Sequence, residues 1–419
     1  MKKWLWILGG GAMQKFVLDE AKKMDYSTIV SDRNIDCLIN RHEMADLFLQ
    51  TDPGDKEESV RQLKKFVEIG YDVDGVVAAG IDTPVTASAM QDVLGKPAAS
   101  EEAAEICHRK DLFRECLEYP RHVAVNGSYP IERARDILGQ FVIVKNTDSS
   151  GSRGTTRMNL ELTSQAEFDM AIEQAIRVSK CQKALIETLL VGTEHTVEAI
   201  FDVKGEFRPC FITDRFFNYG PLEGMGRNDV AMELGLCHPT ALSKEKQDLC
   251  YKVARLAAEK IGIKHGTVKC DMMYASVGPV ILEMTTRSSG GFDVQWLVPQ
   301  STGKNVLKVI VDTACGREID PVDLTPKITK FGQSQTKWLI PGKRIKKISL
   351  NGEEVDVELI CSDDPPWMAW WKVKAGDIVP DMINCASRPN ILMAVSDNPV
   401  TTMKILEHIE NAIEVEYER

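Results

Sequence analysis

Asp271 and Glu283 are symmetric about Val277, the middle of the stretch Ala275–Pro279. If that stretch is the turn between strands Thr267–Tyr274 and Val280–Met284, the two carboxylates lie opposite one another on one face of a hairpin. Like charges so placed repel unless a cation lies between them. Thr285 and Arg287 continue the same face, since side chains alternate with period two. Two carboxylates followed by an arginine suit a metal–phosphate site. Hard oxygen ligands hold Mg²⁺, with Mn²⁺ able to replace it, and a guanidinium matches phosphate oxygens. The polar outer face of an edge hairpin has the same composition.

Two lysines stand elsewhere. Lys110 and Arg114 are four apart at a helix start, Cys107-His-Arg-Lys-Asp-Leu-Phe-Arg114. Lys145 ends the strand Phe141–Val144 and leads into a polar loop, Asn146 to Gly154, that carries Ser149, Ser150, Gly151, Ser152 and Gly154. A strand followed by such a loop can turn backbone N–H groups toward a phosphate while the lysine supplies charge. A plain flexible turn has the same residues. The loop is not a Walker A loop, because G-x-x-x-x-G-K-[ST] is absent. A third element is the run Glu187, Thr188, Leu189, Leu190, followed by Glu194. An apolar strand entering a connector can offer main-chain groups to a base and a carboxylate to ribose hydroxyls, or be an ordinary strand–turn–strand.

The elements that must position these groups fall into three textures. Residues 1 to about 106 alternate strand and helix patterns: Trp4–Leu8, Thr28–Val30, Leu47–Leu49 and Gly75–Ala79 read as strands with helical spacing between them. That succession predicts a parallel sheet wrapped by helices. From about 107 to 330 the pattern is mixed. Ser164 with Glu167 forms a capping box before a helix to about Ser179, and Ser243 to Ile261 is a long helix ended by Gly262. The last stretch, 331 to 419, is strand-rich and then helical, with Asn398 and Pro399 starting a helix to about Ile413. The Trp367/Trp370/Trp371 cluster reads as packing for a small domain.

With 419 residues, more than one core is expected. A net charge of −11 argues against nucleic-acid and anionic-membrane partners. Eleven cysteines without a C-x-x-C pair read as reduced thiols in a cytoplasmic protein. The apolar start stops after Leu8 at three glycines, too short for a secretion signal, and no run is long enough to span a membrane.

Taken in order, these pieces resemble the ATP-grasp superfamily of ligases over nearly the whole chain. The resemblance implies an α/β and α+β multidomain fold. It consists of a Rossmann-like N-terminal domain (1–106), an ATP-grasp domain (107–330) with a lid at about 115–186, and a small β-rich C-terminal domain (331–419). Carried over by position, Lys110 and Lys145 resemble the lysines that touch the nucleotide phosphates, and Ser149–Gly154 the loop that closes over them. Glu187–Leu190 resembles the adenine linker and Glu194 the ribose acid. Asp271 and Glu283 match the Mg²⁺ carboxylates and Arg287 the arginine at the transferred phosphate. The family pattern Glu-x-Asn-x-Arg reads Glu283-Met-Thr-Thr-Arg287 here, so Thr285 replaces an amide ligand. The run Lys374–Val379, Ile391–Val395 and the Pro399 helix resembles the closing part of amino-acid ligases and biotin-carboxylase-like members.

The implied activity is ATP-dependent ligation of a carboxylate to an amine through an acyl phosphate, releasing ADP and phosphate, in an enzyme that often forms a homodimer. Arg215, Arg227 and His238 stand in a polar stretch that can contact substrate or form a surface loop. The run Arg287-Ser-Ser-Gly-Gly291 can cradle substrate oxygens or simply leave the hairpin. A bicarbonate-activating carboxylase and a non-catalytic ATP-binding module are alternatives. Gly9-Gly10-Gly11 with Asp32 also suggests a dinucleotide-dependent oxidoreductase, although Gln14 breaks the glycine fingerprint.

Overall fold

The computed structural model describes residues 2–218, 227–228, 232–355 and 358–418. Its first sheet is parallel, in the order Leu47–Gln50, Ser27–Asp32, Lys3–Leu8, Asp72–Val77. The apolar run of the Lys3–Leu8 strand has both faces covered, as a parallel strand requires. Leu5 and Ile7 pack with Val17, Leu18 and Ala21 of helix Ala12–Lys23, whereas Trp6 and Leu8 face Leu63 and Met90 on the other side. The fourth strand starts earlier than the sequence pattern suggests, at Asp72, and holds Gly75 in its interior. A Cβ there would come within 2.8 Å of the Ala314 carbonyl, so the glycine admits helix Val306–Ala314 against the sheet.

A second, antiparallel sheet has the order Arg227–Asn228, Thr156–Asn159, Phe141–Asn146, Ala184–Thr188, His122–Val125. One face is covered by helices Ile131–Leu138 and Gln165–Val178, through Ala134, Leu138, Phe168, Ala171 and Ile172. The expected capping box is formed: Ser164 N donates to Glu167 at 2.8 Å and Glu167 N to Ser164 Oγ at 3.3 Å.

The largest sheet has nine strands. Its order is Gly278–Thr285, Gly266–Ala275, Gly192–Phe201, Phe207–Phe217, Glu233–His238, Phe331–Gln335, Asn390–Ser396, Pro366–Trp371, Leu359–Asp363. It therefore runs from the middle of the chain into the last stretch without a break. Helix Lys244–Ile261, capped by Ser243 and ended at Gly262 (φ +91°), buries Cys250, Ala254 and Ala258 against its central strands. Toward the C-terminus, Trp371 joins a core with Leu392, Leu406 and Ile409, and Trp370 lies against Phe292 with ring centroids 5.7 Å apart. A small sheet of Glu353–Glu354, Ile345–Leu350 and Ile413–Tyr417 closes that end. The tryptophans pack, as expected. All eleven cysteines are free thiols. Among the described residues no helix is long and apolar enough to cross a membrane.

Candidate active site

Asp271 and Glu283 are partners across the hairpin. They become so by a different route from the symmetric turn the sequence suggests. The strands close at Ala275 opposite Gly278, one residue tighter, and that register alone would bring Leu282 opposite Asp271. A bulge shifts the pairing between Asp271 and Met272, from Met272↔Ile281 to Asp271↔Glu283. The extra residue, Leu282, returns Glu283 to the face of Asp271, since a one-residue slip reverses every side chain beyond it. Arg114 holds the bulge. Its Nη1 donates to Ile281 O at 3.2 Å and its Nη2 to Leu282 O at 2.6 Å.

The same guanidinium reaches the second sheet, where Nε donates to Glu187 Oε1 at 2.5 Å. Glu187 Oε2 lies 2.6 Å from Lys145 Nζ. One buried carboxylate thus sits between two cations, and although burial opposes its charge, they hold it ionised below the usual range. Lys145 is pushed down, by burial first and by the neighbouring Arg114, with Glu187 opposing. Lys110 opens helix Lys110–Leu117 and crosses to the hairpin: Nζ is 2.9 Å from Ser149 O and 3.6 Å from Glu283 Oε2. Burial raises the Glu283 carboxyl, but Lys110 and Lys269 outweigh it and keep it ionised.

Period two arranges the rest of this face. Glu194, Thr196 and Glu198 alternate along one strand and pair with Met273, Asp271 and Lys269 on the next; Lys269 in turn faces Thr285. Asp271 Oδ1 is 2.6 Å from Lys269 Nζ and 2.7 Å from Arg215 Nη1. Arg215 also holds Glu233 at 2.8 Å, and Arg388 reaches Glu233 from the C-terminal stretch at 2.9 Å. Arg287 lies 3.5 Å from Asp82 of the N-terminal stretch.

Most of these groups, though not Arg114, Glu198, Thr285 or Asp82, line one cavity of ≈ 590 Å³, a volume suited to a nucleotide-sized ligand. Lys110, Lys145, Asp271, Glu283 and Arg287 all reach it, with Ser149 to Ser152, Glu187 to Leu190 and Glu194. Met13 and Gly80 of the N-terminal stretch and Cys385 and Arg388 of the last stretch complete the wall. Cations from Lys110 to Arg388 gather here although the protein as a whole is acidic.

No sequence-family profile matches the chain. No curated protein matches it either. Solved structures do. A phosphoribosylglycinamide synthetase from Anaerococcus prevotii superposes with a TM-score of 0.72 at 19% identity, over 100% of both chains. An L-amino acid ligase from Bacillus licheniformis gives 0.75 at 16%, over 100% of this chain and 99% of that one. The biotin carboxylase domain of a Hydrogenobacter thermophilus 2-oxoglutarate carboxylase gives 0.70 at 14%, over 100% and 92%. This chain has the ATP-grasp fold. Its neighbours include structures solved with ADP or its magnesium salt.

Within this ATP-grasp frame some expected positions fall differently. Gly154 (φ +63°) does not line the cavity; it packs on helix Gln165–Val178, where a Cβ would meet Val178 at 2.8 Å. The Glu187 carboxylate faces Arg114 and Lys145, so a base would meet the linker's backbone and not that side chain. His238 bonds Ser301 Oγ at 2.9 Å, and burial, with Lys304, pushes its pKa down to about 4. It is a neutral core histidine. Arg215 does line the cavity, while the Arg227 side chain lies outside what is described. Asp32 accepts from Gly10 N at 2.7 Å and Asn34 N at 2.8 Å, so its two oxygens tie the glycine turn to the loop that follows Ser27–Asp32. Sequence reasoning missed Lys269, Glu233, Asp293 and Arg388. Only Lys269 carried a signal, standing two residues before Asp271 on one strand face.

Proposed function

We propose that the protein is an ADP-forming ligase that activates a carboxylic acid with ATP and joins it to an amine. The observation that carries this is the convergence on one cavity of Lys110, Lys145, Asp271, Glu283 and Arg287, from four separate segments of a chain with the ATP-grasp fold. Lys110, Lys145 and the backbone of Ser149–Ser152 suit the triphosphate. The amides of Thr188 and Leu189 are committed to Arg121 O and Phe141 O, at 3.0 and 2.9 Å, which leaves the linker's carbonyls and Leu190 for an adenine edge. Glu194 suits the ribose.

The residues present also fit Mg²⁺. Asp271 and Glu283 face each other, Glu283 is held ionised, and the Thr285 hydroxyl is buried without a hydrogen-bond partner two residues further along. Among the described residues no cluster of three His, Cys, Asp or Glu forms, in keeping with an ion held by one or two carboxylates and phosphate oxygens. Bound there, the ion supplies charge neutralisation for phosphoryl transfer. The protein's own contribution is position and charge: Arg287 and the two lysines lie where negative charge develops as a substrate carboxylate attacks the γ-phosphate.

The reading divides the chain into an N-terminal domain (1–106), an ATP-grasp domain (107–330, lid about 115–186) and a C-terminal domain (331–419). It takes small-molecule acid and amine as the partners, and a homodimer as the assembly. The test is ADP release from MgATP across a panel of carboxylic acids and amines, with Glu283→Ala as the blank. Release that requires both an acid and an amine, and vanishes in the blank, supports ligation. A second reading, bicarbonate activation, is favoured by the similarity to a biotin carboxylase domain solved with bicarbonate. Full turnover on bicarbonate alone would select it.

A further inference from the structure

Buried polar atoms in folded proteins are nearly always hydrogen-bonded. Among the described residues the exceptions include single atoms scattered through the chain, such as Ser27, Ser59 and Thr336, and one concentration, in the segment 285–295 at the cavity wall. Thr285, Thr286, Ser288 and Ser289 hydroxyls, Asp293 Oδ1 and both amide atoms of Gln295 are buried and unpartnered, together with Glu198 Oε1 on the facing strand. Two of these groups are carboxylates of almost fully buried residues, Glu198 at 0% and Asp293 at 1% exposure. Glu198 Oε2 accepts the Ser289 amide at 3.1 Å; its other oxygen has no donor. Asp293 lines the cavity wall itself, with Arg215 and Glu233 among its charged neighbours.

An ionised carboxylate left in such a place lacks compensation, and a cationic ligand group supplies it. The cations around Asp293 are committed elsewhere: Arg215 to Asp271 and Glu233, and Lys269 to Asp271. Of the charged groups that face Asp293, Glu233 and Asp271 oppose its ionisation while Arg215 and Lys269 favour it; Glu198 is a further acidic neighbour. Burial, first of all, raises both carboxyls, Glu198 to about 8 and Asp293 well above the usual range.

Resting on the ligase reading, we infer that Asp293 is the anchor and proton acceptor for the ammonium group of the amine substrate, with Glu198 and the Ser289 amide forming the floor behind it. An amine arrives at neutral pH as R–NH₃⁺ and cannot attack until it loses a proton. That proton passes to the Asp293 carboxylate. The freed nitrogen lone pair forms the C–N bond at the acyl carbon, the C–O bond to phosphate breaks, and the phosphate leaves with that electron pair. The second nitrogen proton leaves on the phosphate, so the amide and HPO₄²⁻ balance the step. The positive charge of the bound ammonium is what favours the ionised form of this buried carboxyl, so the acceptor is charged while the amine is in place.

Hydroxylamine separates the two halves of the reaction, because it traps an acyl phosphate and is unprotonated at pH 7. The full-length protein is assayed for ADP release with MgATP and a carboxylic-acid panel, with either hydroxylamine or each of the twenty standard amino acids as nucleophile. In Asp293→Asn, amino-acid-dependent kcat/KM is expected to fall about 10²-fold relative to the hydroxylamine reaction. Raising the pH by one unit should then restore close to tenfold of it, as the free-amine fraction grows. Glu198→Gln, which keeps an oxygen for the Ser289 amide, should show the same selective loss in weaker form. Equal loss with both nucleophiles, or no loss with either, overturns the inference. Wild-type turnover with hydroxylamine and with no amino acid overturns it too, while the acyl-phosphate reading stands. No ADP release with either nucleophile removes that reading and the inference with it.

Discussion

Replacing Arg114 by lysine is the sharpest probe of how this site is assembled. The guanidinium makes three buried contacts, to Glu187 Oε1 at 2.5 Å, Ile281 O at 3.2 Å and Leu282 O at 2.6 Å. An ammonium keeps the charge beside Glu187 but cannot span all three, so at least one carbonyl of the bulge loses its donor. A buried polar group left unsatisfied costs about 1–3 kcal/mol. Arg114→Met goes further and leaves Glu187 with Lys145 alone; removing one partner of a buried ion pair costs about 3–5 kcal/mol. The lysine variant should therefore fold with a lowered melting temperature, and the methionine variant should lose more. The functional consequence is more specific. If the bulge relaxes to the tighter register, Leu282 faces Asp271 and Glu283 turns to the other side of the sheet. MgATP binding should then weaken by tenfold or more, about 1.4 kcal/mol. The assay is thermal unfolding with and without MgATP at graded Mg²⁺, since a ligand raises the melting temperature in proportion to its binding to the folded state. A lysine variant that melts early yet keeps the wild-type MgATP shift and Mg²⁺ half-saturation would refute the claim that Arg114 holds the bulge.

Other outcomes follow from the same geometry. Thr285→Val, which removes the unpartnered hydroxyl at constant shape, should raise the Mg²⁺ half-saturation several-fold, whereas Thr285→Asn should not; a metal titration of ADP release decides this. Lys145→Met should lower kcat/KM for ATP by at least about 10²-fold, the scale of losing one electrostatic stabiliser, and steady-state kinetics at fixed acid and amine measure it. Glu198 predicts a pH effect on stability. Its carboxyl is raised, chiefly by burial, from 4.5 to about 8, so the folded state holds a proton that the unfolded state has released. That contribution is fully present below pH 4.5 and is lost as the pH rises through 8, by up to about 5 kcal/mol. Glu198→Gln should flatten the decline of melting temperature between pH 5 and 8, and an unchanged slope would show that another group titrates there.

Much of the frame was legible because it rests on local rules. The parallel first sheet followed from apolar runs alternating with helical spacing, and the capping box at Ser164 and the Gly262 terminus from single residues with one physical use each. The Asp271–Glu283 pairing was also correctly expected, but the turn is shorter and an inserted residue compensates. Nothing in the local sequence marks Leu282 as extra, because its stabiliser, Arg114, arrives from a helix far back in the chain. The same holds for the far wall of the cavity. Asp293 lies two residues beyond the run Arg287–Gly291 and Arg388 belongs to another strand's flank; neither residue fits a spacing rule of its own, and that both line one cavity is a product of tertiary folding. Gly154 ends the small-residue loop whose position after a strand suggests backbone N–H groups turned toward a phosphate. The partner that uses this glycine is helix Gln165–Val178.

The sheet that carries Asp271 and Glu283 also dictates how the chain can be shortened. A chain cut just before Phe331 would retain all five charged side chains named above. It would also strip the Glu233–His238 strand of its Phe331–Gln335 neighbour, baring a ready template for docking onto another molecule. Arg388, one of the two guanidiniums on Glu233, would vanish with the same cut. Versions trimmed at that point should therefore clump before they can be assayed.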